Sequence, residues 1–349
     1  MDRKKIDLTC ISSSRLFLLG IATLLVVFFH SDYLVIEKVV KVNFLTNILK
    51  FIQKTGNFGV DLFLLLSGIG LYFSLSKNNI KTFYKNRFIR ILPVFIIVTV
   101  VYAIITKTMT VVEVLETLFF ISFFVKGNAD VWFMPFIMVM YLLFPLLYKI
   151  IYQKDWHGLV LLLFITMLFN LLYSIFFPTS YVYIEIALTR ISVFILGVYL
   201  GKLIYLKQSV PWYMFLFSIL LQIFMIYILY MNINIERFSI FSRYLYCILA
   251  VCSVINISFL MSLLKNKNIL LIKIIEFLGL YSLEIYLIFE KVEYVLMKEF
   301  NGYSIVLLYI LCFFVTLLLS IAIKEFVNML ILLFNKIILL IKKGEIKQI

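Results

Sequence analysis

Apolar runs about twenty residues long recur from one end of this chain to the other, and most lysines and arginines fall in the short stretches between them. About twenty apolar residues are what a helix needs to cross a bilayer. On that rule the pattern predicts spans near 13–31, 56–76, 90–108, 132–151, 157–176, 183–203, 211–231, 241–264, 274–293 and 304–334. The stretch 110–126 is apolar but carries Glu113 and Glu116. It reads as an interfacial or re-entrant helix; read as an eleventh span, it would invert every later orientation.

Composition narrows the class. The 349 residues are 64% hydrophobic and 14% charged, whereas soluble domains are roughly half apolar and a quarter charged. Only helices or closed barrels satisfy the backbone inside lipid, and these runs are too long and too uniformly apolar for alternating barrel strands. The expected fold is therefore all-α: a polytopic transmembrane bundle forming a single membrane domain over 1–349, with no separate soluble domain. Heavy use of Ile, Lys, Asn, Phe and Tyr suggests an AT-rich bacterial genome, and so a multi-pass protein of a bacterial cytoplasmic membrane.

The formal charge of +14 raises the question of nucleic acid, but the bases form no phosphate-tracking stripe, and no nucleic-acid partner is expected. They sit in short loops between spans, 19 on one side against ten on the other, the bias that the positive-inside rule expects. One set holds Arg3, Lys4 and Lys5; Lys77, Lys81, Lys85, Arg87 and Arg90; Lys149 and Lys154; Lys202 and Lys207; Lys265, Lys267 and Lys273; and Lys336, Lys342, Lys343 and Lys347. This bias places both termini in the cytosol. Arg3-Lys4-Lys5 before an apolar run resembles a signal peptide, yet no small-residue cleavage site follows, so the first span reads as uncleaved. Cys10, Cys247, Cys252 and Cys312 mark neither a disulfide framework nor a metal site.

Against this background an ionisable ring is conspicuous. His30, one of two histidines, ends the first span. Ionisable groups at such positions are functional candidates by default, and imidazole moves protons near neutral pH. The first span runs outward and the second runs inward from Gly56, so His30 and Asp61 fall near the same outer face and are expected to meet. Arg15 belongs to the opposite end, 15 residues or roughly 22 Å away.

These residues fall in a recognisable order. The first span ending at His30, then Gly59-Val60-Asp61-Leu-Phe63-Leu-Leu-Leu-Ser67-Gly68-Ile-Gly70, resembles the acyltransferase 3 family of membrane O-acyltransferases. So do Phe83-Tyr-Lys-Asn-Arg87-Phe-Ile-Arg90-Ile-Leu-Pro93 and Val131-Trp132-Phe133, which opens a span containing Tyr141 and Pro145. Phe194-Ile-Leu-Gly197 and Leu278-Gly279-Leu-Tyr-Ser282-Leu-Glu284-Ile-Tyr286 look like later blocks of the same family. The likeness covers about 13–335. It implies about ten spans and transfer of an acyl group, usually acetyl from acetyl-CoA, to hydroxyls of surface glycans. Two departures stand out. Many members carry Arg or Lys eleven positions before the histidine, where this chain has Leu19, with Arg15 one turn away on nearly the same face. The ninth span often ends in a histidine, where this chain has Phe289-Glu290.

Acyl transfer to an alcohol needs a base that takes the hydroxyl proton. His30 fits that role, since His157 lies in a short loop beside Trp156. Asp61 would accept one ring N–H and steady the imidazolium, as in a serine-hydrolase triad whose nucleophile is the acceptor sugar. The bland readings are a histidine that snorkels to water and an aspartate at a helix N-terminus. Arg15, Arg87 and Arg90 are assigned to the phosphates of an acyl-CoA donor, which arginine binds through paired donors; bases at a cytosolic helix end also simply anchor topology. Arg190 and Glu284 fall well inside predicted spans, at depths that allow them to pair, and either form a structural pair or line the acyl or acceptor channel. Trp132 is expected to shape the outer cavity. Gly59, Gly68 and Gly70 are expected to permit close helix approach.

The expected partners are thus an acyl-CoA, a surface or lipid-linked glycan and the lipid bilayer, with no metal. The competing reading from another class is a glycan or lipid-linked sugar exporter, although no repeated halves are evident. A scaffold in an envelope-building complex is a third reading.

Overall fold

A computed structural model describes residues 5–31, 33–232, 239–264, 267, 269–300 and 302–345. Arg3, Lys4, Lys265 and Lys347 of the expected cytosolic set lie outside the described residues, as do the side chains of Lys342 and Lys343. The chain forms two compact units: residues 1–83 with 119–280, and residues 84–118 with 281–349.

The protein is all-α and integral to the membrane. Among the described residues, seven helices are long and apolar enough to cross a bilayer. In chain order the helices are α1 (Thr9–Ser13), α2 (Arg15–His30), α3 (Tyr33–Val39), α4 (Asn43–Lys54), α5 (Phe58–Lys77), α6 (Ile80–Thr106), α7 (Val111–Leu118), α8 (Ile121–Phe124), α9 (Phe133–Phe176), α10 (Pro178–Leu188), α11 (Ile191–Tyr205), α12 (Trp212–Asn232), α13 (Ser239–Leu264), α14 (Leu270–Leu280), α15 (Ser282–Glu299) and α16 (Ile305–Glu345). Two short strands, β1 (Lys5–Asp7) and β2 (Ser209–Pro211), pair antiparallel. That pairing joins the N-terminal segment to the turn after α11, so both lie at one end of the first unit.

Three differences from the expected spans have clear physical causes. The spans at 132–151 and 157–176 are the two arms of α9, divided at Asp155, whose φ of 50° and ψ of −128° are non-helical. Lys202, expected as a loop base, is instead 8% exposed. Its ammonium donates to the carbonyls of Ile151 (3.0 Å) and Tyr152 (3.3 Å) and to Asp155 Oδ1 (2.8 Å), capping the first arm where it ends. The expected span 274–293 is cut at Tyr281 into α14 and α15; α15 is heavily charged, with Glu284, Glu290, Lys291 and Glu293 along it. The stretch 110–126 becomes two short helices separated by Phe120 in the left-handed region (φ 64°). Neither is long enough to cross, which removes the eleventh span.

Inside the first unit, α5 is the hub. It runs parallel to α11 at an approach so close that a Cβ on Gly197 would overlap the Leu65 carbonyl, and one on Gly68 would stand 2.8 Å from Val198 N. It runs antiparallel to α2, with Gly56 against Leu25 and Phe29, and Gly59 against Ala22, Leu25 and Val26. The Gly59 and Gly68 contacts are those expected of small residues at helix crossings. Gly70 differs, since it faces the Arg15 guanidinium and a methyl there would make only ordinary contact at 3.4 Å. Outward faces of α9 and α12 remain apolar, for example Phe164, Leu172, Phe217 and Leu220, as lipid contact requires. In the second unit α15 packs on α16.

Candidate active site

The register of α5 on α11 sets the centre of the first unit. Gly68 meets Gly197, and seven residues before each glycine stand Asp61 and Arg190. Seven residues are two turns, so both charges lie on the contacting faces. Asp61 is 1% and Arg190 2% exposed, and Arg190 Nε lies 3.4 Å from Asp61 Oδ1. The guanidinium stacks on Trp132 at 4.9 Å, and its Nη1 donates to the Ile186 carbonyl at 3.1 Å. Arg190 occupies the break between α10 and α11, where the carbonyl end of α10 favours a cation. A buried charge must be paired, and α11 supplies the partner for the aspartate of α5.

Above this pair lies a second one absent from the sequence reading. Arg243 of α13 faces Glu185 of α10 at 4.0 Å, each with about a fifth of its side chain exposed (20% and 19%). The electrostatic neighbours of Arg243 also include Arg190 and Asp61. Asn170, in the second arm of α9, donates to Tyr244 Oη at 2.9 Å, and Tyr181 lies against Asn170, Glu185 and Tyr244. Several buried atoms here make no hydrogen bond: Asp61 Oδ2, Glu185 Oε1, Asn170 Oδ1, Arg190 Nε and Arg243 Nη1. Glu185 and Arg243 were hidden because each stands within a turn or so of an expected span boundary, where charge is ordinary.

His30 closes α2 and is half-buried, with its ring edge-on to Phe29 at 5.0 Å between centroids. Gln53 of α4 donates to the Ser31 carbonyl and is itself 6% exposed, which fastens α4 beside the end of α2. The antiparallel contacts of Gly56 and Gly59 bring Asp61 level with Ala22, roughly 12 Å down the axis from His30. The charge partner that the structure gives Asp61 is Arg190. At the other end of α2, Arg15 is half-buried beneath Gly70, and Leu19 is buried at 7%.

Beside Arg15 opens a cleft of about 340 Å³ lined by Ser13 and Ser14, by the end of α13 and by the start of α14, with Lys267, Lys273 and Glu276 on its walls. The second unit carries its own charge group. Glu284, 6% exposed, has Lys324 and Arg90 as electrostatic neighbours, and Lys324 stands over the Tyr281 ring at 4.5 Å. Arg90 is exposed and Arg87 half-buried. The expected pairing of Arg190 with Glu284 is therefore corrected. Depth allowed it, but each finds its counter-charge within its own unit. His157 is exposed against Trp156.

A family model described as an acyltransferase domain matches residues 18–325. No curated protein and no solved structure matches the chain.

Proposed function

Because this chain belongs to the acyltransferase 3 family, whose members are membrane acyltransferases, we propose that it moves an acetyl group from acetyl-CoA to a hydroxyl of a cell-surface carbohydrate, with His30 as general base. The observation that carries the reading is the layout of α2: one helix holds His30 at one end and Arg15, beside a lysine-bearing cleft, at the other.

In this reading the cleft and Arg15 receive donor phosphates, which suits the cations of Lys267 and Lys273 and the hydroxyls of Ser13 and Ser14. On charge alone, Arg87 and Arg90 are further candidates for donor phosphate. The donor supplies a thioester. The acceptor hydroxyl attacks its carbonyl while His30 takes the hydroxyl proton. As the C–S bond breaks, that proton passes to the departing thiolate, leaving an ester, a free thiol and a neutral imidazole. Asp61 takes a positioning role through Arg190 and Trp132, in place of the direct ring contact expected from depth. Glu284 stays a candidate for lining the acyl or acceptor channel, with Lys324 and Arg90 as its charged neighbours. The bias of bases places Arg15 in the cytosol and His30 near the outside of a bacterial plasma membrane, so the thioester must reach inward along α2.

The test offers radiolabelled acetyl-CoA to the cytosolic face of sealed vesicles carrying a lumenal glycan. Label is expected on the glycan with the wild-type protein and is lost with His30→Ala at equal membrane content. Undiminished labelling by His30→Ala removes the base assignment, and labelling that requires lumenal acetyl-CoA removes the transmembrane path.

A further inference from the structure

Five buried polar atoms in the network around Glu185 and Arg243 make no hydrogen bond, although Arg190 Nε and Glu185 Oε1 each face an ion-pair partner, and they are of both kinds. Asp61 Oδ2, Glu185 Oε1 and Asn170 Oδ1 accept; Arg190 Nε and Arg243 Nη1 donate. Two carboxylates face two guanidiniums, so the network carries no net charge. This combination is selective about what it can hold. A phosphate or carboxylate offers only acceptors, which would satisfy the two arginines and meet three oxygens with nothing to donate. An ammonium has the opposite fault. A hydroxyl both donates and accepts, and a cluster of hydroxyls on a neutral ring satisfies the mixed set without adding charge.

Access follows a gradient. Asp61 and Arg190 at the base are 1% and 2% exposed, whereas Glu185 and Arg243 keep 19% and 20%. The amide of Asn170 donates to Tyr244 Oη at 2.9 Å, its oxygen is buried without a hydrogen bond, and Tyr181 links it to Glu185. Ionisable residues clustered within spanning helices mark substrate paths more often than structural ties.

We propose that Asn170, Glu185 and Arg243, standing over Asp61 and Arg190, form the acceptor subsite and select a neutral, hydroxyl-rich sugar over one bearing carboxylate or phosphate. The assignment rests on the acyltransferase reading above and adds the substrate class and the residues that recognise it.

The chain has three tryptophans, and Trp132 lies under Arg190, so a full-length Trp156→Phe/Trp212→Phe protein in lipid nanodiscs reports on this site alone. Its emission is titrated with methyl glycosides of glucose, galactose and N-acetylglucosamine, and with the matched methyl glucuronide and galacturonide. At least one neutral glycoside is expected to shift Trp132 emission saturably, with its acid at least about tenfold weaker, in line with the cost of leaving a buried polar group unsatisfied. Glu185→Gln removes the repulsion and narrows that ratio to below about threefold, while Asn170→Ala weakens the neutral sugars. Acids binding as well as neutral sugars, an unchanged ratio in Glu185→Gln, or no emission change with any glycoside overturns the proposal. His30→Ala separates the two readings. It is expected to keep sugar binding and lose transfer; transfer retained with selective binding intact refutes the base and leaves the subsite standing.

Discussion

Asp61 and Arg190 stand the same seven residues ahead of Gly68 and Gly197, two facing glycines at which α5 and α11 touch. Parallel packing with a shared offset therefore delivers the carboxylate to the guanidinium, with Nε 3.4 Å from Oδ1. The contact of two small residues and the pairing of two charges are one arrangement, separated by two helical turns.

Breaking this pair from one side leaves a buried charge uncompensated. Asp61→Asn and Arg190→Gln are each expected to destabilise the protein by about 3–5 kcal/mol. The double variant is expected to lose clearly less than the sum, because neither charge is then stranded. Thermal unfolding in detergent, set out as a double-mutant cycle, reads the coupling. Additive losses would show that the two side chains stabilise the bundle independently.

Gly197 tests the other half of the arrangement. A methyl there overlaps the Leu65 carbonyl, which is backbone and cannot swing aside, whereas one at Gly70 meets only the end of Arg15 at 3.4 Å. Gly197→Ala is expected to cost about 1–3 kcal/mol through overpacking, and Gly70→Ala to leave the melting temperature nearly unchanged. Equal effects at the two sites would mean that α5 and α11 can move apart without penalty.

The span pattern, the histidine at the end of α2 and the intramembrane Arg190 were legible because each is a property of one segment: apolar length, residue type, depth. Neighbourhood was not. Depth placed Arg190 level with Glu284, but depth says nothing about which helices touch. The α5–α11 contact is set by close approach at three glycines, Gly68, Gly197 and Gly201, among twelve, and only that contact distinguishes Asp61 as the partner. Arg243 and Glu185 went unseen because charges near span ends are commonplace. Lys202 was misread for the same reason, since a lysine that caps buried carbonyls and one that merely anchors a loop look alike in sequence.

Lys202 carries its own prediction. It holds the end of the first arm of α9 through two carbonyls and Asp155, so Lys202→Met strands those acceptors and is expected to cost about 1–3 kcal/mol. Asp155 stands at φ 50°, ψ −128°, a conformation suited to glycine. Asp155→Gly therefore loses an ion pair but relieves backbone strain, and is expected to be the milder of the two by thermal unfolding. The reverse order would show that the ion pair, rather than the carbonyl cap, holds the bend.

Cys10, in α1 ahead of the first span, tests how far the N-terminal segment is sheltered. Burial, reinforced by the Asp7 carboxylate, pushes its thiol up to about 11, and Asp7 is fixed by accepting hydrogen bonds from Thr9 N (2.8 Å) and Thr9 Oγ1 (2.7 Å). The thiolate is the form that alkylates, so a raised value means a protonated, slow thiol at pH 8. In a Cys247→Ser/Cys252→Ser/Cys312→Ser background, iodoacetamide labelling of the folded protein is expected to lag that of an unstructured thiol and to climb until about pH 11. Because the folded form holds this proton more tightly, the associated stability is complete at neutral pH and is lost as pH rises towards that value. Asp7→Asn removes the like charge and shifts the labelling profile to lower pH. A profile that plateaus near pH 9, or one unmoved by Asp7→Asn, would show that this segment does not shelter the thiol as the β1–α1 turn implies.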